Sequence, residues 1–345
     1  MSHLTLHRDP DRYARLATDA ERPILYDPVL GSWIVTNPET VTELMRQPQL
    51  RVAHVFEDLS EELRTAFPNL AFAFRCIPLC MNGEAHRHMR RRMAEVMGAN
   101  RAAVEGVIRR AVEIYVGRLE SCAEIDLVSD VLRPLGSEVV AAVSGSALPA
   151  KPEFDRLSIV LDQWISLKHR RAVEETIQDA REIIRSQLGP DDPPDEEGAR
   201  LALHILGRDA LVGTLGESLH RILQSAPQTK LSEIDYPAMP PETGVPFAER
   251  RVGESFEYRG YAFQAGERVR FRLQGLVYSE DPADRDRIFG IGVHTCLGRQ
   301  IGIEVWSHLT ARLMAIERVA EIAAYRVRTG EYTFTFPELL RIRMS

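Results

Sequence analysis

The segment Phe289-Gly-Ile-Gly-Val-His-Thr-Cys-Leu-Gly298 decides how this chain is read. Its glycines at 290, 292 and 298 predict a loop whose backbone needs unusual freedom. The residues that follow, RQIGIEVWSHLTARL, carry helical spacing, so Cys296 stands just before a helix begins. Amide groups at a helix start favour an ionised thiol, and a thiolate is both nucleophile and metal ligand. The alternative reading is a buried structural cysteine at a helix start. The rest of the chain has to choose.

On the N-terminal side of this loop, FEYRGYAFQAGERVRFRL (256–273) predicts two short strands joined at Gly266. Residues 232–250 hold Pro237, Pro240, Pro241 and Pro246, which break helices. Before them, ARLALHILGRDALVGTLGESLHRIL (199–223) places Ile205, Val212, Leu215, Leu219 and Ile222 at helical intervals with few charges, predicting a largely buried central helix. The acidic, Pro-rich GPDDPPDEEG (189–198) reads as a connecting loop. The run from Glu84 to Leu119 predicts two helices broken around Gly98-Ala-Asn100, with Asn100 capping the second, and helices dominate to about residue 188. Near the N-terminus, PILYDPVLGSWIVT (23–36) alternates as a hairpin before a helix. At the other end, one helix after Cys296 leads to a short strand pair near TFTFPELLRIRM.

Composition narrows the function. The 345 residues are 44% hydrophobic, enough for a sizeable core, and a single domain spanning 1–345 is expected. With 43 Lys+Arg against 50 Asp+Glu the net charge is −7, which argues against nucleic acid as a partner. Four cysteines (Cys76, Cys80, Cys122, Cys296) are too few for a disulfide scaffold. The polar start MSHLTLHRDPDRYARL lacks a signal-peptide core, and no apolar run is long enough to span a membrane, so a cytoplasmic protein without membrane attachment is expected. Cys76, Cys80, His86 and His88 have only a loose zinc-ligand spacing.

The loop FGIGVHTCLG matches F-G-x-G-x-H-x-C-x-G, and in this it resembles the heme-binding loop of the cytochrome P450 superfamily. That resemblance implies a mainly α fold with small β-sheets and heme b as cofactor. Cys296 would be the axial thiolate, with Phe289, Gly290 and Gly298 shaping the loop. A thiolate pushes electron density toward iron and favours O–O cleavage. The likeness extends along nearly the whole chain. GSWIVTNPETVTELMRQPQL is similar to the family's first hairpin and following helix. His86 and Arg90 sit at its H-x-x-x-R spacing, where i and i+4 share one helix face and can reach one propionate. Arg250 falls where the family places a propionate-binding arginine, and His294 would be the fourth contact. Apart from that loop, His86 is an ordinary solvated helix residue.

Three departures stand out. The chain is shorter than usual around the family's J and K helices and its meander, and the E-x-x-R pair of the K helix is missing. The E-x-x-R at Glu267 to Arg270, after the central helix, lies in strand-like sequence. Against the central-helix pattern A-G-x-[DE]-T-T stand Leu206, Gly207, Arg208, Asp209, Ala210 and Leu211. Asp209 keeps the acid, as a proton relay or as a polar residue in a helix kink, and Ala210 replaces the threonine that in the family helps deliver protons to bound dioxygen. Thr214 is one turn further along.

Three functions are compatible with this pattern. The first is a monooxygenase-like oxidoreductase of bacterial secondary metabolism, fed by a ferredoxin-type donor and acting on a small organic substrate. In it Arg87, Arg90, Arg91 and Arg92 would form part of a basic docking face. The second is a heme-thiolate enzyme that does not activate dioxygen, being peroxide-driven or a lyase, dehydratase or isomerase. The third is a non-catalytic helper. Substrate-facing segments are expected at 50–82 and 150–205, where Phe56, Phe67, Phe72, Phe74 and Trp164 line a pocket or fill the core.

Overall fold

Alternating residues near the N-terminus fold as the expected hairpin, β1 (Ile24–Asp27) against β2 (Ser32–Val35). Helix α1 (Pro38–Leu44) follows, capped by Asn37, whose side chain accepts the Thr40 N–H at 3.1 Å. The structure is a computed structural model describing residues 23–28, 31–52, 60–161, 166–274, 276, 285–327 and 337–345. Strand β3 (Leu50–Arg51) and two short helices, α2 (Glu61–Ala66) and α3 (Pro68–Phe74), lead to the long helix α4 (Gly83–Val116).

Helix α4 corrects the expected break at Gly98: it is one helix of 34 residues. Its buried stripe of Met89, Met93, Val96, Val104, Ile108 and Val112 runs straight past the glycine. An exposed glycine costs a helix only about 1 kcal/mol, which this packing exceeds. Asn100 caps nothing. Its Nδ2 donates to the Val96 carbonyl at 2.9 Å and to the Val143 carbonyl at 3.4 Å, tying α4 to a neighbouring helix.

That neighbour is α5 (Arg133–Ser144), reached through β4 (Glu124–Asp126) and one π-helical stretch, Leu127–Leu132, neither foreseen from the sequence. A 3₁₀ segment, Phe154–Leu161, precedes α6 (Leu167–Ser186). The acidic connector is shorter than its composition predicts, because Glu196–Gly198 already belong to the central helix α7 (Glu196–Ser225). Two of those acids sit in its first turn, where the helix dipole favours them. Between Ser225 and Phe247 the chain forms no α-helix, only the 3₁₀ turn Leu231–Glu233.

Strands β5 (Phe247–Val252), β6 (Phe256–Tyr258), β7 (Tyr261–Phe263) and β8 (Arg268–Arg272) follow. The hairpin turn therefore falls at Arg259-Gly260 (φ 49° and 82°), and Gly266 (φ 89°) sits in a second turn, between β7 and a third strand, β8. Strands β1-β2-β8-β5-β3 make one sheet in which only β2 and β8 run parallel. Helix α8 (Arg299–Leu313) leads to β9 (Ala320–Val327) and β10 (Pro337–Met344), paired with β4 in a second sheet. The TFTF part of the expected strand pair lies outside the described residues. A large helical core and a smaller one behind the first sheet hold these parts together.

Candidate functional site

The loop before α8 turns on Gly290, whose φ of +88° is left-handed. A Cβ there would come within 3.0 Å of the His294 carbonyl oxygen, so only glycine fits. The turn brings the Cys296 N–H to the Phe289 carbonyl at 2.7 Å. The Cys296 side chain is left accessible, and what it faces is an internal cavity. Burial in the surrounding wall raises its pKa. Three features oppose this: the N–H groups of Gly298 and Arg299, which point at the sulfur, and the Arg90 guanidinium. The sulfur is thus set up to ionise once a cation faces it.

Four basic side chains from three elements gather beside it. His86 and Arg90 are one turn apart on α4, Arg250 is an inward residue of β5, and His294 belongs to the loop. The rings of His86 and His294 lie 4.2 Å apart between centroids. Burial pushes the His86 pKa down to about 4, with help from Arg90, Arg250 and Arg87. Burial, then Arg250, His86 and Arg90, takes His294 down to about 3. Both are neutral at pH 7. His86 Nε2 and His294 Nδ1 are buried without a hydrogen-bond partner. Arg90 donates only to the Thr295 carbonyl (2.7 Å) and Arg250 to the Glu249 carbonyl (2.8 Å). Among the described residues no carboxylate pairs with either, and burial lowers the Arg250 pKa to about 10. Leaving a buried donor unpaired costs on the order of 1–3 kcal/mol. Two such nitrogens and two carboxylate-free guanidiniums together make a seat for an anionic group.

The cavity measures about 380 Å³. Its floor is Phe289, Gly290, His294, Cys296 and Gly298, so the predicted loop residues all reach it, together with Arg90 and Arg250. The opposite wall is the face of α7 carrying Leu206, Gly207, Ala210, Leu211 and Thr214. Asp209 is absent from that wall. Its buried carboxylate accepts a hydrogen bond from Ser158 and lies 3.4 Å from Arg208 Nη2, on the far side of the helix. Thr214 faces the cavity, but its hydroxyl donates to the Ala210 carbonyl at 2.8 Å and accepts the Gly244 N–H at 3.0 Å. Gly244 presses so close that a Cβ would sit 2.7 Å from the Ala210 carbonyl.

Of the aromatic residues expected near a pocket, Phe67 and Phe74 are core, and Phe72 packs under Arg181 with the guanidinium 3.6 Å from its ring centre. Phe56 and Trp164 lie outside the described residues. The aromatic residues on the cavity wall are Phe247 and Phe289. Met93, Met97, Val139, Val143, Thr243 and Val245 were missed by the sequence reading. Met93 and Met97 had a signal: with His86 and Arg90 they repeat at one-turn and two-turn intervals on a single face of α4.

The arginine run divides by function. Arg87 and Arg91 are exposed, Arg90 faces the cavity, and Arg92 is held by Glu95, Asp195 and Glu196. His88 bonds Asp195 at 2.7 Å, away from His86. Among the described residues no group of three metal-ligating side chains occurs, and no helix is long and apolar enough to cross a membrane.

No protein-family model and no curated protein sequence matches this chain. Solved structures do. P450BioI, in complex with an acyl carrier protein ligated to hexadec-9Z-enoic acid, superposes with a TM-score of 0.78 at 19% identity, covering 99% of both chains. P450 RauA, complexed with a biosynthetic intermediate of aurachin RE, gives 0.72 at 18% identity over 99% of this chain and 97% of that one. The cytochrome P450 PksS of the Bacillus subtilis bacillaene polyketide synthase gives 0.74 at 14% over 99% and 98%. An accessible cysteine at a helix start, a carboxylate-free basic cluster beside it and a long helix across the cavity thus sit within an architecture matched almost end to end: the chain has the cytochrome P450 fold.

Proposed function

We propose that this protein is a heme-thiolate oxidoreductase, monooxygenase-like, that modifies a small apolar molecule in bacterial secondary metabolism. The observation that carries the proposal is the pair of buried, unpartnered nitrogens, His86 Nε2 and His294 Nδ1, on packed rings of which the His294 ring lines the same cavity as an accessible Cys296. Heme b fits these residues. Its carboxylates answer the four basic side chains, and its iron answers the thiolate. When bound it supplies redox chemistry at iron.

The chain's own part follows from its side chains. Cys296 would ligate the iron, with the Gly298 and Arg299 N–H groups and Arg90 stabilising the negative sulfur. His86, Arg90, Arg250 and His294 would hold the propionates. Neutral imidazoles can each donate a proton-bearing nitrogen to a carboxylate, and the two guanidiniums supply charge. The apolar wall of Met93, Met97, Val139, Val143, Leu203 and Leu206 excludes water and selects apolar substrates. Exposed Arg87 and Arg91 would offer charge to an acidic electron donor of the ferredoxin type. The secondary-metabolism setting rests on the biosynthetic context of RauA and PksS.

The absorption spectrum of the purified protein, followed by that of its dithionite-reduced carbon monoxide adduct, tests this. A thiolate-type Soret shift is expected. A protein that stays colourless when offered hemin would end the proposal.

A second reading has its own observation. Among the described residues α7 turns the Asp209 carboxylate away from the cavity, has no hydroxyl at 210 and commits the one at 214 to the backbone. That favours a heme-thiolate enzyme supplied with peroxide, or one catalysing a lyase, dehydratase or isomerase reaction. Turnover with a reductase system, with peroxide or with neither separates the two.

A further inference from the structure

The segment Phe154–Leu161 is eight residues of 3₁₀ helix. Runs beyond three or four residues are uncommon because the hydrogen-bond geometry is poor, so something outside the backbone holds this one. With three residues per turn, positions three apart eclipse one another. One row, Phe154, Leu157 and Val160, is 2–3% exposed and fills the core. The next row is Asp155, Ser158 and Leu161. Its first two members are both engaged by the central helix: Arg208 Nη1 donates to Asp155 Oδ1 at 3.0 Å, and Ser158 donates to Asp209 Oδ2. Its third member, Leu161, lines the cavity.

We propose that Arg208 and Asp209 form a latch that fixes the 3₁₀ register of residues 154–161 and thereby sets Leu161 against the cavity as a limit on ligand size. Three of the four latch residues are buried: Ser158, Arg208 and Asp209 are 3%, 9% and 5% exposed. Water therefore competes poorly for their polar atoms. Released from the latch, the segment relaxes toward α-helical spacing. Three residues then turn about 300° rather than about 360°, so Leu161 swings by roughly 60° relative to Ser158 and leaves the wall. Asp209 and Ser158 are positioning residues in this scheme, acting on ligand through Leu161. The inference goes beyond the heme-thiolate proposal and needs only the cavity.

Hydrogen–deuterium exchange on the full chain tests it. Ser158→Ala and Asp209→Ala should each speed exchange of the 154–161 amides by about tenfold, the loss of one buried charge-assisted hydrogen bond, with exchange elsewhere on α7 unchanged. Ser158→Thr, which keeps the hydroxyl, should retain protection. If Asp209→Ala fails to fold, Asp209→Asn takes its place with the same expectation. In heme-loaded protein the affinity ratio of a bulky to a small azole should rise equally in the Ser158→Ala and Asp209→Ala variants. Unchanged exchange in both variants overturns the latch. So does an effect of Asp209→Ala that Ser158→Ala does not reproduce, since that points to a role for the carboxylate independent of the segment. The exchange readout needs no heme, so a failed latch and a failed heme proposal give different results.

Discussion

The two walls of the cavity are built on opposite principles. The wall around Cys296 collects basic and neutral imidazole side chains from three distant elements and leaves two of their nitrogens unsatisfied. The α7 wall offers no free polar group: Asp209 is turned away from it onto Ser158, the Thr214 hydroxyl is committed to the backbone, and the other side chains of that wall are apolar. Unmet polar atoms in a buried site are costly and signal a missing partner, whereas satisfied ones signal structure. The first wall therefore keeps polar atoms that a ligand could satisfy, and the second has its own already satisfied.

The largest effect that sharpens this contrast is expected from Cys296→Ala, which should abolish the thiolate-type carbon monoxide spectrum altogether; a surviving signal would mean that another residue ligates. Next comes Arg250→Ala. Removing a buried, carboxylate-free guanidinium should weaken heme retention about 10- to 100-fold, measured as the rate of heme transfer to an acceptor protein. Retention within twofold of the parent would show that the basic cluster does not seat the cofactor.

Thr214→Val probes the other wall. It strands the Gly244 N–H and should cost about 1–3 kcal/mol in urea unfolding while changing heme retention less than twofold. The reverse pattern would erase the distinction between the walls.

The smallest effect concerns pH. In protein prepared without heme, His86 and His294 stay neutral down to about pH 4 and pH 3, whereas the unfolded chain protonates them near 6.5. The unfolded state then binds more protons, so their contribution is complete above pH 6.5 and is lost as pH falls through the window toward 4. His86→Phe should make that acid loss shallower, seen in urea midpoints between pH 7.5 and 4.5. Equal slopes for variant and parent would place the ring in solvent.

Legibility in the sequence follows the range of the forces involved. The loop Phe289–Gly298 is local: glycine freedom at 290 and a cysteine at a helix start are properties of ten consecutive residues, and the geometry found is the one the spacing predicts. The i, i+4 pair His86 and Arg90 is local as well, since both lie on one helix face whatever else the helix does. The break expected at Gly98 failed because a single glycine weighs less than the stripe of apolar side chains packed across it. Asp209 has no sequence signal for its orientation. Its direction is set by Ser158, 51 residues away.

What the sequence determined by itself was therefore the glycine turn that presents Cys296 at a helix start and the helical character of the elements around it, because both depend on near neighbours and on periodicity. Only the tertiary structure decided which polar groups face the cavity, joined α4 into one helix, and set the 3₁₀ stretch against α7. Those outcomes depend on pairs of side chains far apart in the chain, whose meeting is dictated by packing rather than by spacing.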